Sequence, residues 1–150
     1  MSLGGGGNPQ AQEIAQQIEE LEQHRAALES EIEGLQKQKR DVDDAIEAVG
    51  TLDTGSTVQV PLGGGAYVRA EVSAIDEVIV DLGADYSAER DQDGAVSSLE
   101  SKKETLDGRI EELRSEIAEI ETETDDLEKR AEQLQSQQLQ QLQQQQQQDE

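Results

Sequence analysis

The chain contains no cysteine, phenylalanine or tryptophan, and only two prolines, two tyrosines and one histidine among its 150 residues. Without cysteine there is no disulfide framework and no thiolate to act as nucleophile or ligand. His24 has neither a Cys nor a second His to work with, so a zinc site or a His-based triad has no residues to be built from. It is expected to sit solvated on a polar helix face. The shortage of aromatics, with only 33% hydrophobic residues, excludes a thick globular core although the length suits one domain.

Basic residues are scarce as well. Twelve Lys and Arg face 35 Asp and Glu, giving a net charge of -23, and no segment is basic: residues 1–50, 51–88 and 89–150 carry -7, -5 and -11. Nucleic acids and anionic membranes are both held by Lys and Arg, so neither is expected as a partner. Nowhere do 18 apolar residues run together, and MSLGGGGNPQ at residues 1–10 lacks the basic and apolar parts of a targeting signal, so a soluble cytoplasmic protein is expected. So acidic a surface repels itself in dilute buffer but is tolerated where molar salt shortens screening to about 3 Å, which suggests a halophilic host.

What remains in quantity is Gln, Glu, Leu and Ala, the composition of long helices meeting along a narrow seam. Steps of four and three residues from Ile14 reach Ile18, Leu21, Arg25, Leu28, Ile32, Leu35, Lys39, Val42, Ile46 and Val49, and nine of these eleven positions are apolar. That is a heptad seam, with Asn8-Pro9 as cap and first helical residue and Gly50 as the expected stop. A second seam runs Val96, Leu99, Lys103, Leu106, Ile110, Leu113, Ile117, Ile120, Thr124, Leu127, Ala131 and Leu134, apolar at ten of twelve positions. Beyond Leu134 only Leu139 and Leu142 are apolar in a Gln-rich stretch, where fraying is expected. Arg25 and Lys39 interrupt the first seam and are expected to reach Glu121 and Glu104 on a facing helix.

The middle reads as β. Val58, Val60 and Leu62 alternate with polar neighbours, Gly63-Gly64-Gly65 turns the chain, and Ala66, Val68, Ala70 and Val72 resume the alternation. Val78, Val80 and Leu82, then Ala84, Tyr86 and Ala88, form a second such unit around Gly83. The expected organisation is a leader (1–9), a helix (10–50), two β-hairpins (51–90), a returning helix (91–135) and a Gln-rich tail (136–150). The helices then pair antiparallel as an arm about 60 Å long, with Val49 near Val96 and Ile14 near Ala131. The fold class is α+β, mostly α. Two isolated hairpins cannot stand alone in water, so other subunits must complete them.

Motifs of chemistry are weak. Asp53-Thr54-Gly55-Ser56-Thr57 has the look of an aspartic-protease loop, yet the chain lacks a second copy and the β content of such an enzyme. A polar turn after a helix is the expected reading. Residues 89–100, ERDQDGAVSSLE, overlay calcium-loop spacing, but strand-like residues precede them, and Asp91 and Asp93 suit the start of a helix. The triple glycine lacks the Lys and following helix of a phosphate loop. No catalysis, metal or cofactor is expected.

In the residues Val60-Pro61-Leu62-Gly63-Gly64-Gly65-Ala66-Tyr67-Val68 and Val78-Ile79-Val80-Asp81-Leu82-Gly83-Ala84-Asp85-Tyr86, set between two heptad helices, the chain resembles the α class of the archaeal prefoldin family over residues 10 to 135. Two hairpins match that class, because the β class carries one. The resemblance implies a hexamer of two α and four β subunits, with joined β-barrels as a body and six coiled-coil arms. It implies an ATP-independent chaperone that captures unfolded polypeptides at the arm tips and delivers them to a group II chaperonin. Here the tips correspond to Ile14, Ile18, Leu127, Leu134, Leu139 and Leu142, and the assembly face to Val58, Val60, Val68, Val72, Val78, Val80, Leu82 and Tyr86. Each Leu or Ile is worth about 1.5–3 kcal/mol when fully buried, so one tip binds weakly and several on one body bind by avidity. The alternatives are a coiled-coil scaffold without clients, a protease using Asp53, and a calcium sensor using Asp91 and Asp93.

Overall fold

The computed structural model describes residues 8–148. Its elements run in the order α1 (Pro9–Thr51), β1 (Thr57–Gly63), β2 (Ala66–Glu71), β3 (Val78–Gly83), β4 (Tyr86–Arg90) and α2 (Gln92–Gln148). The chain divides into two compact units, one of residues up to 33 and from 111 on, the other of residues 34–110. The expected leader lies outside the described residues apart from Asn8 and Pro9.

In the first unit α1 and α2 pair antiparallel along the two seams. Ile14, Leu28, Leu113, Ile120 and Leu127 are buried, and Ile18, Leu21, Ile32, Ile117, Ala131 and Leu134 are half-buried. The residues between them are exposed, as a 3.6-residue period with a narrow apolar stripe requires. Arg25 Nη2 donates to Glu121 Oε1 at 2.7 Å across the pair, as the seam pattern suggested, and Arg25 Nε reaches Glu29 at 3.1 Å along its own helix. Asn8 caps α1: Gln10 N donates to Asn8 Oδ1 at 2.9 Å.

The second unit holds the other halves of both helices and both hairpins. Lys39 Nζ donates to Asp107 Oδ1 at 2.6 Å and Lys103 Nζ to Asp43 Oδ1 at 2.7 Å. The expected partner of Lys39 was Glu104; Asp107 lies one turn further along α2, at the offset that Asp43–Lys103 also keeps, so that turn is the one level with the ammonium. Gly50 does not end α1, which continues to Thr51. The helix end is completed from α2, because Gln92 Nε2 donates to Val49 O at 2.6 Å and to Leu52 O at 3.0 Å. Those carbonyls would otherwise be orphaned at a helix end, so no left-handed glycine cap is needed.

The two hairpins are built alike. Gly63 faces Ala66 across Gly64-Gly65, and Gly83 faces Tyr86 across Ala84-Asp85, with the register shifting at Leu62 and at Leu82. Both central residues of each turn have positive φ, 60° and 84° in the first and 51° and 65° in the second, the geometry of the tight hairpin turn. Glycine accepts this freely in the first turn. Ala84 does not, and a left-handed residue with a Cβ costs about 1–2 kcal/mol. The double change Ala84→Asn, Asp85→Gly is therefore expected to raise the unfolding midpoint of the chain by a few degrees in a thermal melt.

Candidate interaction surfaces

The polar turn at Asp53 works as a clasp. Ser56 Oγ accepts from Asp53 N at 3.0 Å and Thr54 Oγ1 accepts from Ile75 N at 3.1 Å, while Gly55 N donates to Val72 O at 2.8 Å. The residues that resembled a protease loop thus tie the foot of the first hairpin to residues 72–75. Glu89 and Arg90 belong to β4, and Asp91 Oδ1 caps α2 by accepting from Gly94 N at 2.7 Å, so residues 89–100 do not form a loop at all. A Cβ on residue 94 would stand 2.7 Å from that carboxylate oxygen, which is why glycine occupies it. His24 is exposed on α1.

The hairpins present apolar side chains unequally. Antiparallel pairing sets Val58 against Ala70 and Val60 against Val68, one apolar face, and Val60 and Val68 are exposed. In the second hairpin Val80 pairs with Ala88 and Ile79 with Glu89, on opposite faces. Val80 is only 4% exposed whereas Ile79 is 73% exposed. Of the assembly residues expected from sequence, Val60, Val68, Leu82 and Tyr86 are exposed, and Val58, Val72 and Val78 are half-buried. Val80, also expected on the assembly face, is packed within the chain. Ile79, Leu62 and Tyr67 are exposed apolar residues that sequence reasoning passed over. The unbroken triplet Val78-Ile79-Val80 was the available signal, since it makes the strand apolar on both faces. A groove of about 540 Å³ is lined by the end of β3, at Asp81-Leu82-Gly83, and by Val42 and Leu106.

In the first unit the expected tip residues split as well. Ile14 and Leu127 are buried in the seam, Ile18 and Leu134 are half-buried, and Leu139 and Leu142 are 57% and 56% exposed. A groove of about 400 Å³ is lined by Gln10, Glu13, Ile14, Gln17, Arg130 and Leu134. Fraying was expected after Leu134, but α2 is helical to Gln148. Gln has high helix propensity and neither Gly nor Pro interrupts the run, so nothing local stops the helix.

A model of the family described as "Prefoldin subunit" matches residues 14–148. The chain belongs to the prefoldin family. Curated proteins named "Prefoldin subunit alpha" resemble this prefoldin chain: that of Haloarcula marismortui is 59% identical over 67% of this chain and 66% of its own length, and that of Halorubrum lacusprofundi 52% identical over 71% and 70%. That of Halobacterium salinarum is 49% identical over 73% and 71%. The chain thus spans slightly under two thirds of the Haloarcula relative's length. Among solved structures, a chain of the filamentous PFD of Methanocaldococcus jannaschii, determined by cryo-EM, matches with a TM-score of 0.52 at 29% identity, over 81% of this chain and 97% of that one. No described helix of this prefoldin chain is long and apolar enough to cross a membrane.

Electrostatics follow the composition of the chain. The cross-helix pairs are partly exposed to solvent and worth little each, whereas the charge of -23 repels throughout. The screening length falls from about 10 Å at 0.1 M salt to about 3 Å at 1 M, so repulsion is relieved more than attraction is lost. The urea midpoint followed by circular dichroism is expected to rise between 0.1 M and 3 M KCl, and a fall would refute this balance. Lys103 is held above its ordinary value of 10.5 by its hydrogen bond to Asp43 and by that carboxylate's charge. A raised lysine stabilises below its unfolded value and loses the effect only as pH climbs through the folded one, so this pair leaves stability flat across neutral pH.

Proposed function

We propose that the chain is the α-class subunit of an ATP-independent chaperone. Its hairpins join β-class subunits in a hexamer of two α and four β chains, and its helix ends hold unfolded polypeptides for delivery to a group II chaperonin. The observation that carries this reading is the family match over residues 14–148. The structure supports it physically, because Val60 and Val68 on the apolar face of β1–β2 and the side chain of Ile79 lie exposed in the single chain. Uncovered hairpins of this size are marginal in water. No catalytic step belongs to the reading; capture rests on apolar contact and avidity, and release on loss of simultaneous contact.

The test is the complex purified from co-expression with a β-class partner in molar KCl, added to a denatured protein diluted from guanidinium. Suppression of light scattering without ATP is expected, and the pair Ile18→Asp, Leu134→Asp is expected to reduce it several-fold. A complex that assembles but never suppresses aggregation would leave the scaffold reading in its place.

A further inference from the structure

Every residue of α2 from Gln135 to Gln148 is exposed. Gln10 and Ile14, near the start of α1, already lie beside Leu134, so the last part of α2 runs on without α1 against it among the described residues. Gln133 to Gln148 is also uncharged, sixteen residues in a chain of charge -23, and no other uncharged run in either helix exceeds six. Two copies of this chain repel over most of their surface and can meet here without that repulsion.

The apolar pattern of this run is its own. Leu134 to Leu139 is a step of five, which turns the next apolar residue about 140° around the helix, off the seam shared with α1. From there Gln135, Leu139, Leu142 and Gln146 follow steps of four, three and four, a second heptad ladder that holds both exposed leucines.

We infer that this ladder is a self-association surface, on which the α2 ends of two copies pair antiparallel. The arrangement is self-complementary about a two-fold axis: Leu139 of one copy meets Leu142 of the other and the reverse, and Gln135 meets Gln146. Outer layers of Gln against Gln exchange amide hydrogen bonds and set the register, as a polar core layer does in a coiled coil. In sequence, Glu132 precedes the neutral run and Asp149 and Glu150 follow it, so the orientation is not set by charge pairs at the ends of the run; antiparallel alignment sends the acidic remainder of the two helices in opposite directions, whereas parallel alignment lays it side by side. Leu139 and Leu142 then have two uses, self-contact and client contact, that exclude one another at any moment. The self-contact does not depend on clients being bound at all.

Because the chain has no native cysteine, single thiols report the geometry directly. Full-length Gln135→Cys and Gln146→Cys chains, co-expressed and oxidised in molar KCl, are expected to give a covalent dimer several-fold more abundant than either variant gives alone. Adding Leu139→Asp and Leu142→Asp is expected to return the yield to background with helix content retained. Equal yields from the single variants would mean parallel or random contact and would overturn the proposal. So would absence of the dimer, or capture of an added unfolded cysteine-bearing polypeptide in its place. The aggregation assay is read separately, so failure of one idea does not mask failure of the other.

Discussion

Replacing Leu113 by alanine is expected to destabilise the chain by about 2–5 kcal/mol, the range for a buried leucine whose cavity cannot collapse. Leu113 is 0% exposed and the largest fully buried side chain among the described residues. The first unit has no second layer behind its seam: Leu28 and Ile120 are buried on the same narrow stripe, and the residues outside it face solvent. A seam one side chain wide has nothing to repack into the gap, and the helix spacing is set by the remaining seam residues. Against a total stability of about 5–15 kcal/mol, one such loss is a large fraction. Leu142→Ala supplies the contrast, since its side chain is mostly exposed and the change should fall within about 0.5 kcal/mol. Urea titrations followed at 222 nm separate the two. Equal effects would show that α2 is not held through this seam.

The seams were readable because their signal is periodic and long. Steps of four and three persist through α1 and through α2 as far as Leu134, and every seam position but Arg25 is buried or half-buried in the structure. The hairpins were readable because alternation and glycine turns coincide. What escaped depends on facts that periodicity does not encode. Whether Val80 or Ile79 faces outward depends on which face of β3 packs against its own chain, and both residues are equally apolar. The end of α1 falls within one residue of Gly50, but the group that completes it, the Gln92 amide, lies 40 residues or more away in sequence and has no local signal. Loss of the seam after Leu134 was read as loss of the helix, but propensity alone carries α2 on through the glutamines, since a helix without a partner is still a helix while no residue breaks it.

The contrast between Ile79 and Val80 gives the second large effect. Ile79→Asp places a charge where the chain is open, so the chain alone is expected to keep its helix content and its unfolding midpoint. Co-purified with its partner, that variant is expected to elute as a much smaller species, because a buried unpaired carboxylate in a subunit contact is among the most costly of substitutions. Val80→Asp places the same charge inside the chain itself, where the side chain is 4% exposed. There the expected result is loss of stability of about 3 kcal/mol or more before any partner is added. Mass by light scattering and thermal melts on both variants, alone and with partner, separate the two faces of one strand. A full-sized complex from Ile79→Asp would remove the second hairpin from the assembly surface and leave that role to Val60 and Val68 on the first.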